Sequence, residues 1–381
     1  MPQNQKLSIA FLYDDSLDGS EGVTNQVKIL GGWLSGRGHK VSYLVGETKI
    51  KTWQDGKVYS LAKNVRVKFN GNYLSIPLPA RISLIKNALT DAKPDVLHVQ
   101  MPHSPLMSQK VINMAWPTPA VGTFHIYPAS ALVRFGAKIL KLAYLKGLSK
   151  ISEVVSVSSA AQQFASDSFK LKTTVIPNMV DISKIDKPSV KKMPQTIVFL
   201  GRLVSRKGCA QLIEAFELVS GHLPQARLII GGDGPERQKL EALSGKLGVT
   251  DKVEFRGFLG EQQKFELLAG AQIACFPSLY GESFGIVLIE AMAAGSGVVL
   301  AGDNPGYASV MAGIPEALFD PRDKQQFADI IISYLSNQAL SDSTHKAQSQ
   351  LVKKFDIDTV GPQIEALYLR AIDKASKTRH N

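Results

Sequence analysis

Pro277-Ser-Leu-Tyr-Gly281-Glu282-Ser-Phe-Gly285-Ile-Val-Leu-Ile-Glu290-Ala-Met-Ala-Ala-Gly295 runs from a Gly-flanked acidic turn straight into an apolar segment of helical period. A short apolar run, 273–276, precedes it, and another, 298–300, follows. Strand, turn, helix and strand in that order make a unit of parallel sheet. Ser283 or Glu282 is placed to cap the helix. The N–H groups of Phe284, Gly285, Ile286 and Val287 then face outward at a positive helix end, an anion site. Glu290 falls inside the helix, and its neighbours Ile286, Val287, Ala293 and Ala294 are apolar. A carboxylate there needs a hydrogen-bonding partner. A bound diol such as a ribose would serve, and so would an arginine from elsewhere in the chain.

The same alternation extends in both directions. Upstream of residue 180, apolar runs at 7–13, 41–45, 96–99, 120–124, 154–157 and 174–176 are bounded by Pro, Gly or Ser. A helix follows the first run, with Val23, Val27, Leu30 and Leu34 on one face. Residues 181–195 are polar and carry Lys and Pro, and read as a linker. The rhythm then restarts, with strands at 197–200, 228–230, 253–255, 273–276 and 298–300. Helices are expected at 209–220, 235–247, 261–269 and 284–294, and the chain from 323 onward is mostly helical. Alternation of this kind predicts an α/β protein of two halves, each a parallel sheet with helices on both faces. Ligands are then expected at the carboxyl ends of the strands, facing a shared cleft.

Composition is ordinary for soluble globular domains, with 44% hydrophobic and 20% charged residues in 381. The two cysteines, Cys209 and Cys275, are far apart and form no C-x-x-C pair, which argues against a disulfide framework or cysteine zinc site. No signal peptide is read at the start, and the apolar region 285–302 is broken by Glu290 and glycines, so no membrane span is expected. The formal net charge of +11 is uneven: residues 1–190 hold 23 Lys and Arg against 12 Asp and Glu, while 191–381 hold 21 of each. A polyanionic partner of the first half, nucleic acid or an anionic lipid surface, fits this asymmetry, although net charge also serves solubility alone.

Several loops carry candidate chemistry. Gly201-Arg202-Leu-Val-Ser-Arg206-Lys207-Gly208 follows the first strand of the second half. Its cations are suited to neutralising a diphosphate leaving group without a metal. Gly231-Gly-Asp-Gly-Pro235 reads as a tight structural turn. Gly22, in the loop just before a helix expected to begin at Val23, allows backbone to approach a pyrophosphate closely. Thr123-Phe-His125 ends a strand; taken alone, His125, like His98 and His103, reads as structural. Asp356-Ile-Asp358 has D-x-D form but sits at a helix start, so no protein-built metal site is expected and no cofactor beyond a donor nucleotide.

The Glu282–Glu290 segment, with Gly201–Gly208 some 80 residues before it, resembles the nucleotide-sugar signature of GT-B glycosyltransferases of family 4. Its wording is most similar to the bacterial phosphatidylinositol mannosyltransferases. The resemblance implies two Rossmann-like doubly wound domains facing an interdomain cleft. It divides the chain into an acceptor and membrane domain at 1–180, a nucleotide-sugar domain at 181–361, and a C-terminal helix at 362–381 crossing back to the first. It also implies a retaining hexosyltransferase, with mannose from GDP-mannose to phosphatidylinositol as the specific expectation. Arg202 and Lys207 would hold the pyrophosphate with Gly201 and Gly22, and Glu290 the ribose. Glu282 and the N–H groups of Ser283 to Val287 would hold sugar and phosphate, and His125 would contact the transferred sugar. No role carries over to Arg206. Family members usually have Gly-Gly where this chain has Glu21-Gly22, and Thr24, Asn25 and Gln26 also depart from the pattern, so they are assigned nothing.

For the acceptor, Ile82, Ile85 and Leu89 share a helical stripe beside Arg81 and Lys86. Residues 134–150 interleave Arg134, Lys138, Lys141, Lys146 and Lys150 with apolar positions. Both read as basic amphipathic segments for an anionic membrane, on the cytoplasmic face by resemblance, with no nucleic-acid partner. The ordinary alternative is that both helices pack on the first sheet and merely expose their lysines. Rival functions are a UDP-glucose-dependent glycolipid or glycan glucosyltransferase, a sugar-nucleotide epimerase, and a non-catalytic lipid-binding module.

Overall fold

The computed structural model describes residues 5–19, 22–69, 72–101, 104–127, 147–185 and 190–380. The chain divides into two compact units, residues 1–179 with 357–381, and residues 180–356.

The first unit is built on strands β1 (Ser8–Tyr13), β2 (Lys40–Val45), β3 (Thr52–Trp53), β4 (Gly56–Ser60), β7 (Val96–Met101), β8 (Ala120–Phe124), β9 (Ile151–Ser156) and β10 (Thr174–Val175). They form one sheet in the order β10-β9-β8-β7-β1-β2-β4-β3. Every pairing is parallel except β3 with β4. β1 and β7 are near-continuous apolar runs because helices cover both faces of such a sheet. A separate antiparallel hairpin, β5 (Asn64–Phe69) with β6 (Asn72–Pro77), lies outside it. Neither this hairpin nor β3 and β4 were foreseen, since these short strands mix polar with apolar residues and lack the long apolar runs of the main strands.

The last helix, Ile357–His380, belongs to this first unit. Its Val360, Ile364, Leu367, Tyr368 and Ala371 join Leu7, Phe11, Val96, Val121 and Val155 in one core. Each fully buried large apolar side chain is worth about 1.5–3 kcal/mol, so this stripe holds the helix firmly. Asp358 in its first turn accepts a hydrogen bond from Trp33 Nε1 at 2.7 Å, a helix-start role. Gln26, from the helix Gly22–Gly36, clasps the backbone at residue 179. Its amide donates to Met179 O at 2.8 Å and accepts from Met179 N at 2.7 Å.

The second unit carries β11 (Thr196–Leu200), β12 (Arg227–Gly231), β13 (Val253–Gly257), β14 (Ile273–Phe276), β15 (Val298–Gly302) and β16 (Leu318–Phe319). The sheet order is β13-β12-β11-β14-β15-β16, all parallel. From β11 the chain winds outward through β12 to β13, then returns to the other side of β11 with β14. The order reverses between β11 and β14, and a doubly wound sheet opens its ligand crevice at that point, beyond the carboxyl ends of the strands. The corresponding reversal in the first unit falls between β1 and β7.

Candidate functional site

In the second unit, the loops leaving β11 and β14 meet at the reversal. Leu279 N donates to Arg206 O at 2.8 Å, tying one loop to the other. Gly208 has φ of +72°, and a Cβ there would lie 1.9 Å from Pro277 O, so only glycine lets the two backbones come this close. The tie delivers Arg206 and Lys207 to Glu282. Arg206 Nη1 lies 2.7 Å, and Lys207 Nζ 2.8 Å, from the same oxygen, Oε1. Burial alone would push the Glu282 carboxyl up; Lys207 and Arg206, with hydrogen bonds from Lys207 and Ser278, outweigh it and hold the group below its ordinary value. One carboxylate thus orients two cations, leaving the cluster net positive. Arg202 stands exposed earlier in the same loop, and Gly201 donates its N–H to Gly231 O at 3.0 Å.

The helix after Glu282 starts later than expected. It spans Ile286–Ala293, and its N-cap is Gly285, with no side-chain cap. Neither Ser283 nor Glu282 caps it, because Glu282 is committed to its two cations and the chain turns at Gly285 with φ of +128°. A Cβ at Gly285 would meet the Tyr307 ring at 2.7 Å, so the turn requires glycine. Phe284 is turned inward, edge-on to Phe355 at 5.6 Å, while Ile286 and Val287 are partly exposed in the first turn.

Glu290 has a protein partner that is not arginine. Lys264 Nζ, from the helix Glu261–Gly270, lies 2.9 Å from Glu290 Oε1. Both side chains are mostly buried, so the acid inside the helix has its charge matched without a ligand. Sequence reading missed Lys264, and it counted Arg206 among the loop cations but gave it no role of its own. Arg206 was visible beside Lys207; Lys264 gave no signal, since it sits in an ordinary polar helix.

In the first unit, His125 follows directly after β8 and its Nε2 lies 2.7 Å from Gln100 Oε1 on β7. Burial pushes its pKa down to about 4, so the ring is neutral near pH 7. His98 is structural, as read: its nitrogens lie 2.6 Å from Tyr368 OH and 2.7 Å from Thr123 Oγ1, fastening the last helix to the sheet. His103 is outside the described residues. A cavity of about 20 Å³, near the size of one water or hydroxyl, is lined by His98, Gln100, Thr123, His125, Gln26 and Asn178 among others. Gly22 is the first residue of its helix, and residues 20–21 before it are outside the described set. At the β1–β7 reversal, Asp14 accepts from Ser104 N and from Ser108 Oγ at 2.5 Å. Burial raises its pKa to about 6 despite these bonds.

Arg134, Lys138 and Lys141, with Lys146, fall outside the described residues. Arg81 is the exposed N-cap of the helix Ile82–Ala92, and Lys86 is exposed on it. The buried stripe of that helix is Ile85, Ala88 and Ala92. Ile82, expected on it, is 65% exposed because it sits in the first turn, beyond the elements that cover the rest. Leu84 is exposed too, as are Val65 and Ile76, partners across β5 and β6, and Leu78 and Leu106. Ala80 N donates to Leu106 O, which draws these segments together. Among the described residues no helix is long and apolar enough to cross a membrane, and no group of three or more His, Cys, Asp or Glu could hold a metal ion.

Comparison with known proteins bears on this arrangement. The Glycosyltransferase Family 4 model matches residues 20–184, and the Glycosyl transferases group 1 model matches residues 181–351. A phosphatidyl-myo-inositol mannosyltransferase of Mycolicibacterium smegmatis is 30% identical, over 93% of this chain and 91% of that protein. The chain belongs to the family 4 glycosyltransferases. A second relative of this glycosyltransferase, the Mycobacterium leprae phosphatidyl-myo-inositol mannosyltransferase, is 29% identical over 98% of this chain and 99% of its own.

Solved structures place the glycosyltransferase in the GT-B fold. Sucrose-phosphate synthase from Thermosynechococcus elongatus matches with a TM-score of 0.76 and 20% identity, covering 96% of this chain and 99% of that one. Anabaena HepE in complex with UDP and glucose matches with a TM-score of 0.70 and 20% identity, covering 94% and 98%.

Proposed function

We propose that this glycosyltransferase is a retaining enzyme that moves mannose from GDP-mannose to phosphatidylinositol, working as a peripheral protein on the cytoplasmic face of the plasma membrane. The observation that carries the donor half is the pairing of Arg206 and Lys207 on Glu282 at the β11–β14 reversal. A diphosphate arriving there meets cations already held in place, so little reorganisation is needed as negative charge grows on the leaving group. Arg202 and Lys207 hold the pyrophosphate, with Gly201 and Gly22 giving close backbone approach. The N–H groups from Ser283 through Val287 supply the positive helix start. Glu290 binds the ribose hydroxyls, its other oxygen steadied by Lys264. Glu282 and His125 contact the transferred sugar. These parts supply neutralisation at the leaving group without a metal held by the protein.

For the acceptor half, the exposed apolar residues around β5, β6 and the helix Ile82–Ala92 lie among Arg81 and Lys86, and the first 190 residues carry the whole charge excess. Apolar anchors with cations beside them suit an anionic lipid surface. Arg134, Lys138 and Lys141 add to the same charge. The mannosyl and inositol identities rest on the similarity to the named mannosyltransferases.

Product analysis tests the proposal. GDP-mannose and UDP-glucose are each offered with phosphatidylinositol vesicles and with diacylglycerol vesicles. Release of GDP matched by mannosylated phosphatidylinositol is the expected result. A glucosylated product would move the enzyme to UDP-glucose chemistry, and a rearranged sugar nucleotide with no acceptor used would make it an epimerase. Vesicle binding with no turnover of any donor would leave a lipid-binding module.

A further inference from the structure

Gln100 and His125 form a pair that no assigned role explains. Strands β7 and β8 run parallel, with Gln100 opposite Thr123, so His125 lies just past the strand end and within reach of the Gln100 side chain. Gln100 is only 6% exposed, and a buried amide is a fixed point in a way that a surface one is not. Its Oε1 is an acceptor only, so at 2.7 Å it accepts the hydrogen bond of a proton carried on His125 Nε2. A neutral imidazole carries one N–H. With that proton held on Nε2, the ring's other nitrogen, Nδ1, is left as a lone-pair acceptor. Among the described residues no hydrogen bond is made to Nδ1.

The neighbouring groups keep the pair from rearranging. His98, two residues before Gln100 on the same strand, is occupied by Tyr368 and Thr123 and so does not compete for the Gln100 side chain. The small cavity lined by His98, Gln100, Thr123 and His125 has room for one hydroxyl. A hydroxyl is a donor that matches a lone pair on nitrogen, whereas a phosphate or carboxylate oxygen is not.

We propose that Gln100 is a positioning residue that fixes His125 as its Nε2–H tautomer, so that Nδ1 accepts a hydrogen bond from a hydroxyl of the transferred sugar. This rests on the reading of His125 as a sugar contact. Gln100 touches no substrate itself. It determines which ring nitrogen is the acceptor, and a sugar hydroxyl met by an N–H would have to turn and accept instead.

The test uses the full chain with ¹⁵N-histidine. Long-range ¹H–¹⁵N spectra of the wild type, assigned by the signal missing in His125→Ala, should show Nε2 protonated and Nδ1 bare; an Nδ1–H tautomer overturns the inference with no variant needed. Gln100→Met keeps the volume and removes the acceptor. It should give a mixture of tautomers and lower kcat about tenfold, the scale of one misplaced hydrogen bond. Turnover is read with GDP-mannose or UDP-glucose, whichever the wild type consumes. The affinity for the corresponding nucleoside diphosphate should not change, since that ligand lacks the sugar; a merely destabilised fold would lower the binding-competent fraction for both. His125→Ala impaired while Gln100→Met runs at the wild-type kcat overturns the role of Gln100 alone. His125→Ala at the wild-type rate removes the sugar contact, and the positioning role with it.

Discussion

Lys264 Nζ donates to Glu290 Oε1 at 2.9 Å, so the carboxylate buried in the helix Ile286–Ala293 is neutralised by the helix before it. Removing the lysine leaves that acid with no charge partner. Lys264→Met should cost on the order of 1–3 kcal/mol, less than the 3–5 kcal/mol of a fully buried pair because both groups keep some contact with water. Urea unfolding measures it. No loss would mean that Glu290 finds other partners and that the pair is incidental.

Lys207 and Arg202 should matter more to turnover than to folding. Lys207→Ala and Arg202→Ala are each expected to lower kcat by about a hundredfold or more, the scale of one donor removed from a charge-stabilising site. Circular dichroism should stay unchanged, since Arg206 remains on Glu282 when Lys207 is lost. Near-normal rates in either variant would remove that residue from the mechanism.

Asp14 and Glu282 give pH dependences of opposite sign. Glu282 is held below its ordinary value, so its stabilising contribution is complete above about pH 4.5 and is lost as pH falls through the folded value. Asp14 prefers its proton in the fold, with a pKa near 6 against 3.8 unfolded. Its contribution therefore favours the fold below about pH 4 and is lost as pH rises toward 6. Urea melts of wild type and Asp14→Asn across this range isolate the term. The wild type should weaken relative to the variant between pH 4 and 6. A constant difference between the two would contradict the raised pKa.

Ile82 and Leu84 are exposed, so charging them should leave the fold intact. The double variant Ile82→Glu, Leu84→Glu is expected to lower binding to phosphatidylinositol–phosphatidylcholine vesicles at least several-fold, with the melting temperature unchanged. Wild-type binding should also weaken as salt rises. Unchanged vesicle binding in the variant would remove this patch from the membrane surface.

The two parallel sheets were legible because buried parallel strands write themselves as apolar runs between turns. The runs at 120–124 and 273–276 match β8 and β14 in both limits. What stayed hidden depended on tertiary contacts. The short strands β3 and β4 and the separate hairpin β5–β6 carry no long apolar run, and the cap at Gly285 was obscured by Glu282 and Ser283, whose side chains have the chemistry of caps. Lys264 becomes part of the site only because two helices pack side by side. Ile82 has the period of a core residue but lies at a helix end that nothing covers. His125 and Gln100 are 25 residues apart, and only the pairing of β7 with β8 brings them together.

The central claim is that the loops after β11 and β14 hold a nucleoside diphosphate. Isothermal titration of the wild type, Lys207→Ala and Arg202→Ala with GDP and with UDP tests it most directly. The account predicts that one of the two nucleotides binds the wild type and that each substitution weakens it at least tenfold, about 1.4 kcal/mol. Failure of both to bind the wild type, or equal affinity in all three proteins, would contradict it.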